Sequence, residues 1–262
     1  MLKVGSTFDE LTPPVESEYL RREVAGENET SKAPQREEIL KFFLEHHPTG
    51  LMKFFSFPGV AWRFENLLSF AHRGPVFFVG LEWRQGIFER SSRYMPGHNL
   101  RRIAEQSKAG DIDGFQTDQS RLLHLSSKTF FNFGRGMKTS KEGRRRWAAI
   151  YKDWTACWLD FTSCVGEEIC DSIRNLDRFV SIRRQVVPVA ITFMLGREGP
   201  LFMEAMGQVA GDPADALRKR LVLIQLLLEN AKYRTFKIGK CWTYKSECGA
   251  TMVNMTGFSI LR

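Results

Sequence analysis

Three short motifs at the ends of apolar runs have residue types suited to binding a small molecule. Phe57-Pro58-Gly59 closes the run KFFSF, Glu82 ends the run VFFVGLE, and Asp160 lies near the end of TACWLDF. Short, nearly continuous apolar runs are typical of strands that are covered on both faces in a parallel sheet. Because ligands of open parallel sheets bind outside the carboxyl ends of the strands, we expect these motifs to surround one site.

Gly59 and Glu82 could together hold a nucleoside. A glycine lets the backbone approach a ligand closely, and the helix predicted after it presents free N–H groups. A carboxylate at the end of the neighbouring strand could accept hydrogen bonds from both hydroxyls of a ribose. The alternative is that Pro58-Gly59 is an ordinary turn and that Glu82 is a solvated strand terminus.

Glu65 is a further acidic candidate. It falls in the first or second turn of the helix predicted after Gly59. Its carboxylate could approach a cationic amino group of a bound ligand, or it could complement the positive end of the helix dipole. Both interpretations remain open at this point.

A basic cluster lies in the middle of the chain. Six cations fall within twelve residues, with Glu142 as the one acid: Arg135, Lys138, Lys141, Arg144, Arg145 and Arg146. Such a cluster can bind phosphates while a neighbouring aromatic side chain stacks on a base, although a solvated charged surface is the alternative. The formal net charge of +8 and the pI near 9.4 favour acidic partners such as DNA or RNA.

The elements that would position these motifs alternate between strands and helices. A helix within AWRFENLLSFAH makes residues 53–82 a predicted βαβ unit. Other elements follow from the same patterns: helices after Ser31 and at 84–95, 99–110, 165–180 and 213–231, and strands at 122–127 or 128–133, 186–195, 233–246 and 251–261. This pattern predicts an α/β fold: a three-layer Rossmann-like domain with a mostly parallel sheet and a C-terminal antiparallel hairpin.

Composition sets the expected organisation and compartment. Residues 1–33 predict a flexible or peripheral arm, and residues 34–262 predict one domain with a basic insert around 98–150. The chain has no secretory pattern and no uncharged apolar run of about 18 residues, so we expect a soluble cytoplasmic protein. Five cysteines without a CxxC pair and five scattered histidines predict buried free thiols and no metal site.

The order of these motifs resembles the class I S-adenosylmethionine-dependent methyltransferases over residues 53–261. The motifs that carry the resemblance are FFSFPGVAWRFEN, VFFVGLEW, WLDF, VPVAITFML and CWTYKS…TMVNMTGFSI. The resemblance implies S-adenosylmethionine as the cofactor. It places the methionine part on Phe57, Pro58 and Gly59, the ribose on Glu82, and the methyl group opposite Asp160.

Two departures from the family pattern concern the chemistry. The first loop lacks Gly-x-Gly, and Leu159-Asp160-Phe161 replaces the Asp/Asn-Pro-Pro-aromatic loop of amino-methylating DNA enzymes. Cys164 does not follow a proline, which argues against cytosine methylation through a cysteine nucleophile. In a methyl transfer, Asp160 could orient or deprotonate the acceptor, or it could cap the next helix.

Two hypotheses from different classes follow. The first is a methyltransferase-like protein that acts on or binds nucleic acid. The second is a catalytically inactive methyltransferase-like fold that serves as a nucleic-acid-binding or protein-interaction module. A dehydrogenase or a P-loop enzyme is disfavoured, because neither GxGxxG after the first strand nor GxxxxGK[ST] occurs.

Overall fold

The computed structural model describes residues 29–82, 84–107, 110–124, 154–164, 186–195, 204, 218, 222 and 234–261. Four sequence predictions therefore lie wholly or mainly outside the described residues. They are the N-terminal arm, the basic cluster at 135–146, and the helices at 165–180 and 213–231.

The described part of the chain contains three α-helices and nine strands. The helices are α1 (Glu29–His46), α2 (Arg63–Ala71) and α3 (Gln85–Ser91), and a 3-10 turn (Ser92–Tyr94) follows α3. The strands are β1 (Met52–Ser56), β2 (Val76–Glu82), β3 (Arg101–Ser107), β4 (Gly110–Gln116), β5 (Ser120–His124), β6 (Ala156–Cys164), β7 (Val186–Met194), β8 (Arg234–Lys245) and β9 (Thr251–Leu261). No described helix is long and apolar enough to span a membrane.

All nine strands form one sheet in the order β3-β4-β5-β2-β1-β6-β7-β9-β8. The five central strands, β5, β2, β1, β6 and β7, run parallel to one another. Antiparallel pairs extend the sheet on both sides, with β3 and β4 beyond β5, and β9 and β8 beyond β7. The α/β fold and the closing hairpin are confirmed, but "mostly parallel" describes only the centre of the sheet.

The predicted βαβ unit is confirmed, because β1 and β2 are parallel neighbours joined through α2. The helix predicted at 99–110 is wrong. Residues 101–107 form β3, which pairs antiparallel with β4 from Arg101–Gln116 to Ser107–Gly110. The segment has few apolar residues and no helical stripe, so cross-strand pairing decides its conformation. This hairpin is an addition between β2 and the third parallel strand, β5, which begins before the predicted LLHLSS.

Helix α1 begins at Glu29, earlier than the N-cap predicted at Ser31. The backbone N–H of Ser31 donates a hydrogen bond to Glu247 Oε1 at 2.9 Å. Glu247 lies in the turn between β8 and β9. A carboxylate distant in sequence therefore accepts the hydrogen bond from a helix N–H that a local N-cap side chain would otherwise accept. Nothing in the local sequence indicates this partner.

Aromatic side chains join the described helices to one face of the sheet. Phe43 of α1 lies 5.0 Å from Phe54 of β1 between ring centroids, and Phe64 of α2 lies 4.6 Å from Trp158 of β6. Successive strand residues point to opposite faces, and Phe55, the neighbour of Phe54, is fully buried too. The opposite face of the central strands is therefore buried as well.

Candidate functional site

The turn between β1 and α2 has a backbone conformation that favours glycine. Gly59 has a φ of +62°, and Trp62 has a φ of 48° just before α2 begins. A left-handed conformation is costly for a tryptophan. Trp62 is fully buried, and its Nε1 donates a hydrogen bond to the backbone oxygen of Ser91 at 3.1 Å. Tertiary packing thus holds this turn in place.

Two rings of the first loop lie directly over β2. A Cβ atom added at Gly80 would lie 2.8 Å from Pro58 Cγ and 2.8 Å from Trp62 Cη2. The missing side chain of Gly80 is therefore what allows the loop to approach the carboxyl half of β2. The "FPG" turn and the strand that ends at Glu82 are packed together.

The loop after β1 also contacts the carboxyl-terminal half of β6. The rings of Phe57 and Phe161 lie 5.3 Å apart in an edge-to-face arrangement. Asp160, the residue before Phe161, is half-buried. Asp160 was predicted to follow the strand, but it lies within it, because β6 continues to Cys164. It is the last residue of β6 that pairs with β7 in regular register before an irregularity. Two of the predicted loops therefore lie at one edge of the sheet.

Glu65 is a buried carboxyl group at this edge. Only 2% of its surface is exposed, and its Oε1 accepts a hydrogen bond of 2.5 Å from Ser56 Oγ at the end of β1. Burial raises the pKa of Glu65 to about 7, although the hydrogen bond from Ser56 opposes the rise. Its second oxygen, Oε2, has no hydrogen-bond partner in the described part of the chain. A buried polar atom without a partner calls for an explanation, and a ligand donor is one.

Three other ionisable side chains act on one another across this region. The charge of Asp160 contributes to the raised pKa of Glu65, and that of the buried Arg36 of α1 opposes it. The same two charges act on Tyr244 of β8. The pKa of Tyr244 is raised, and burial is the largest cause of the rise. Glu65, Asp160 and Arg36 are thus electrostatically coupled, and a cationic ligand would favour the ionised form of Glu65.

Glu82 serves a structural role that sequence reasoning left open. Its Oε1 accepts a hydrogen bond from the backbone N–H of Arg84 at 2.9 Å, at the residue before α3 begins. The side chain is half-buried rather than fully solvated. One carboxylate oxygen is therefore engaged at a helix N-terminus, where negative charge is favoured.

A directed chain of hydrogen bonds runs beside the cluster. Trp158 Nε1 donates to Thr192 Oγ1 at 2.9 Å, and Thr192 Oγ1 donates to Asn254 Oδ1 at 2.6 Å. Asn254 Nδ2 and Trp242 Nε1 both donate to Oε1 of Gln35, at 3.2 and 2.5 Å. Gln35 precedes Arg36 in α1, so this chain fixes the helix segment that carries the guanidinium acting on Glu65.

The structure thus brings together residues that the sequence suggested and residues that it did not. Phe57, Glu65 and Asp160 lie near one sheet edge, whereas the basic cluster lies outside the described residues. Ser56, Arg36 and Tyr244 were missed. Ser56 gave a weak signal, as the only polar residue within the run FFSF; the other two lie on α1 and β8, far along the chain from the motifs.

The cysteines and histidines of the described residues form no metal cluster. Cys157 is a buried free thiol, and burial raises its pKa, which removes it as a nucleophile. Cys241 is half-buried and also free. Cys248 is exposed in the β8–β9 turn.

No protein-family model and no curated protein sequence matches the chain. Among solved structures, the chain is similar to the O-methyltransferase TomG from Streptomyces achromogenes in complex with SAM, at 10% identity and a TM-score of 0.47, covering 88% of this chain and 81% of that one. It is similar to an O-methyltransferase from Bacillus cereus in complex with SAH, at 10% identity and a TM-score of 0.47, covering 95% and 93%. Magnesium protoporphyrin IX methyltransferase from Synechocystis PCC 6803 gives 10% identity and a TM-score of 0.44, covering 86% and 82%.

Proposed function

We propose that the chain binds S-adenosylmethionine at the carboxyl ends of β1, β2 and β6 and transfers its methyl group to an acceptor. The observation that carries this proposal is the buried Glu65 carboxyl group, whose Oε2 lacks a hydrogen-bond partner among the described residues and whose pKa the charge of Asp160 helps to raise. The cofactor carries an ammonium group, a carboxylate and a sulfonium group, so it is a net cation. Such a ligand suits this cluster, because it would stabilise the ionised form of the buried Glu65.

Each candidate residue has a role that follows from its place. The backbone at Phe57, Pro58 and Gly59 would lie against the methionine part, since glycine leaves room for close approach. Glu65 would accept the ammonium group. Glu82, at the end of β2, would accept a ribose hydroxyl. When bound, the cofactor supplies an electrophilic methyl group, and Asp160 would orient or deprotonate the acceptor.

Calorimetric titration with S-adenosylmethionine tests cofactor binding directly. We expect saturable binding to the wild-type protein. Glu65→Gln and Glu82→Ala should each weaken it about tenfold or more, since each removes a charged partner of the ligand. Glu37→Gln, an exposed substitution on α1, is the matched control and should leave the affinity unchanged. Absence of binding to a folded wild-type protein would refute the proposal.

We propose nucleic acid as the class of acceptor. The net charge of +8 and the six cations at 135–146 support this choice. Charge reversal of Arg144, Arg145 and Arg146 to Glu should weaken binding to both DNA and RNA oligonucleotides. It should also reduce the dependence of log K on log salt by about three units at most. Unchanged affinity and an unchanged salt slope would rule out this acceptor interface.

A catalytically inactive binding module is the second candidate. The rings of Pro58 and Trp62 over Gly80 favour it, because side chains of the protein itself fill the space between the first loop and β2. In that case, nucleic acid should bind with equal affinity with and without S-adenosylmethionine, and calorimetry should give no heat of cofactor binding. Transfer of a radiolabelled methyl group from the cofactor to the oligonucleotide would exclude it.

A further inference from the structure

A groove lies between the outer side of α1 and the β8–β9 hairpin, away from the strand ends. Its volume is about 300 Å³. Three aromatic rings line it: Phe42 lies 5.5 Å from Phe258 between centroids, and Trp242 lies nearby on β8. A register shift between Ile238 and Lys240 leaves Gly239 out of the pairing with β9, and Gly239 lines the groove without a side chain.

Two carboxylates of α1 face the groove. Glu38 and Glu45 both line it, and they are two helical turns apart, which corresponds to about 10 Å along the axis. Glu38 is engaged on both oxygens, since Oε1 pairs with Lys41 at 3.1 Å and Oε2 pairs with Lys240 at 2.8 Å. Glu45 makes no ion pair with any other described residue. Lys41 and His46 line the groove as well. Among the described residues, Glu38 therefore has two lysine partners and Glu45 has no ion pair.

Lys240 marks the position of a cation in this groove. Its Nζ lies 5.2 Å from the centroid of the Trp242 ring as well as against Glu38. An aromatic face and a carboxylate around one ammonium are the features by which proteins recognise cationic ligands. The Lys240 side chain is 62% exposed. An ion pair with this exposure contributes little to stability, so a competing cation could displace it.

We propose that the groove is a docking site for a basic segment of a partner protein. A guanidinium group of the segment takes the place of the Lys240 ammonium over Trp242 and pairs with Glu38. A second basic side chain, three residues away, pairs with Glu45. In a polyproline II segment, residues three apart lie on the same side of the chain, about 9 Å from each other, which matches the spacing of the two glutamates. Arginine suits this role better than lysine, because its planar group stacks on aromatic faces and pairs with carboxylates through two donors.

The proposal is tested by calorimetric titration of the full chain with the peptide acetyl-Arg-Ala-Ala-Arg-amide at low salt. We expect Glu38→Gln and Glu45→Gln each to weaken binding about three- to tenfold. Lys240→Ala should strengthen it, because the internal competitor is removed. The matched control is Glu37→Gln, an exposed glutamate of the same helix that does not line the groove. It should leave the affinity unchanged.

Several results would overturn this inference. Loss of peptide binding in Lys240→Ala would overturn it, and so would weaker peptide binding in that variant. An equal loss in Glu37→Gln and Glu38→Gln would mean that the peptide senses only the overall charge. Butylguanidinium that binds as tightly as the peptide would show a single-cation site instead of a two-point one. Self-association of the protein alone that Glu45→Gln abolishes would identify a second copy as the occupant.

Discussion

Ser56 and Glu65 are joined by a hydrogen bond of 2.5 Å that connects the end of β1 to the first turn of α2. The hydroxyl donates to a carboxyl group that has almost no contact with solvent. Burial outweighs this bond, so the pKa of Glu65 stands at about 7, above the ordinary value of 4.5. The pair is thus a titrating element at the centre of the candidate site.

Glu65→Gln should make the protein more stable above pH 7. A raised carboxyl pKa contributes stability that is fully present below pH 4.5 and is lost as the pH rises through 7. A shift of this size corresponds to about 3 kcal/mol of unfolding free energy, lost over that range. Urea denaturation from pH 4 to pH 8 should therefore show that the unfolding free energy of the wild type declines with pH. The unfolding free energy of Glu65→Gln should depend less on pH. Parallel profiles would mean that Glu65 does not titrate in this range.

Ser56→Ala should move the decline in unfolding free energy to higher pH. The substitution removes the hydrogen bond that favours the ionised form, so the pKa of Glu65 should rise further. The same urea experiment measures it. Ser69→Ala, on the half-buried side of α2, serves as a comparison and should leave the midpoint of the decline in place.

Cofactor binding should depend on pH in the opposite sense. If the ionised Glu65 accepts the ammonium group of S-adenosylmethionine, binding releases a proton at pH values below about 7. The affinity should therefore rise by up to about tenfold per pH unit between pH 5.5 and 7. Calorimetry in buffers of different ionisation enthalpy would count the released protons. A pH-independent affinity in the wild type would exclude contact between Glu65 and the cationic group.

Gly59→Ala and Gly50→Ala form a matched pair. Both glycines have a positive φ, of +62° and +84°, so each substitution should cost about 1 kcal/mol of stability. A Cβ at Gly50 would meet nothing within 4 Å, so its effect is backbone strain alone. If the backbone at Gly59 contacts the cofactor, only Gly59→Ala should also weaken cofactor binding. An equal loss of affinity in both variants would assign the effect to stability.

Asn254→Leu should destabilise the protein by about 1 to 3 kcal/mol, because it removes the partner of Thr192 and one donor to Gln35 in a buried network. Thr256→Val is the control; Thr256 is also buried in β9, and its side chain makes no hydrogen bond in the described structure. Equilibrium denaturation compares the two. A similar cost for both would mean that the hydrogen bonds of Asn254 contribute little beyond packing.

The central strands were predictable because their burial on both faces leaves a direct mark in the sequence. VFFVGLE coincides with β2 from Val76 to Glu82, and KFFSF overlaps β1. The β3–β4 hairpin was missed because its stability comes from pairing between strands, and Arg101–Ser107 carries no apolar alternation that would distinguish it from a polar helix.

The candidate site was predictable only in part. Gly59 and Asp160 are detectable because each lies at the end of an apolar run. The charge environment of Glu65 was not, because Arg36 comes from α1 and Tyr244 interacts with the same charges from β8. The burial of Glu65 itself depends on the closure of α2 against β1. Side chains that meet only after folding leave no local pattern in the chain.

The β3–β4 hairpin also affects how the protein opens. Because β4 pairs with β5, each of the five parallel strands has a hydrogen-bonded neighbour on both sides. The strands that carry Ser56, Glu82 and Asp160 should therefore be among the slowest to exchange their amide protons, at rates close to those of global unfolding. The unpaired edges fall on β3 and β8, so early exchange should begin there. Any ligand-dependent protection should appear first in the loops that connect the central strands.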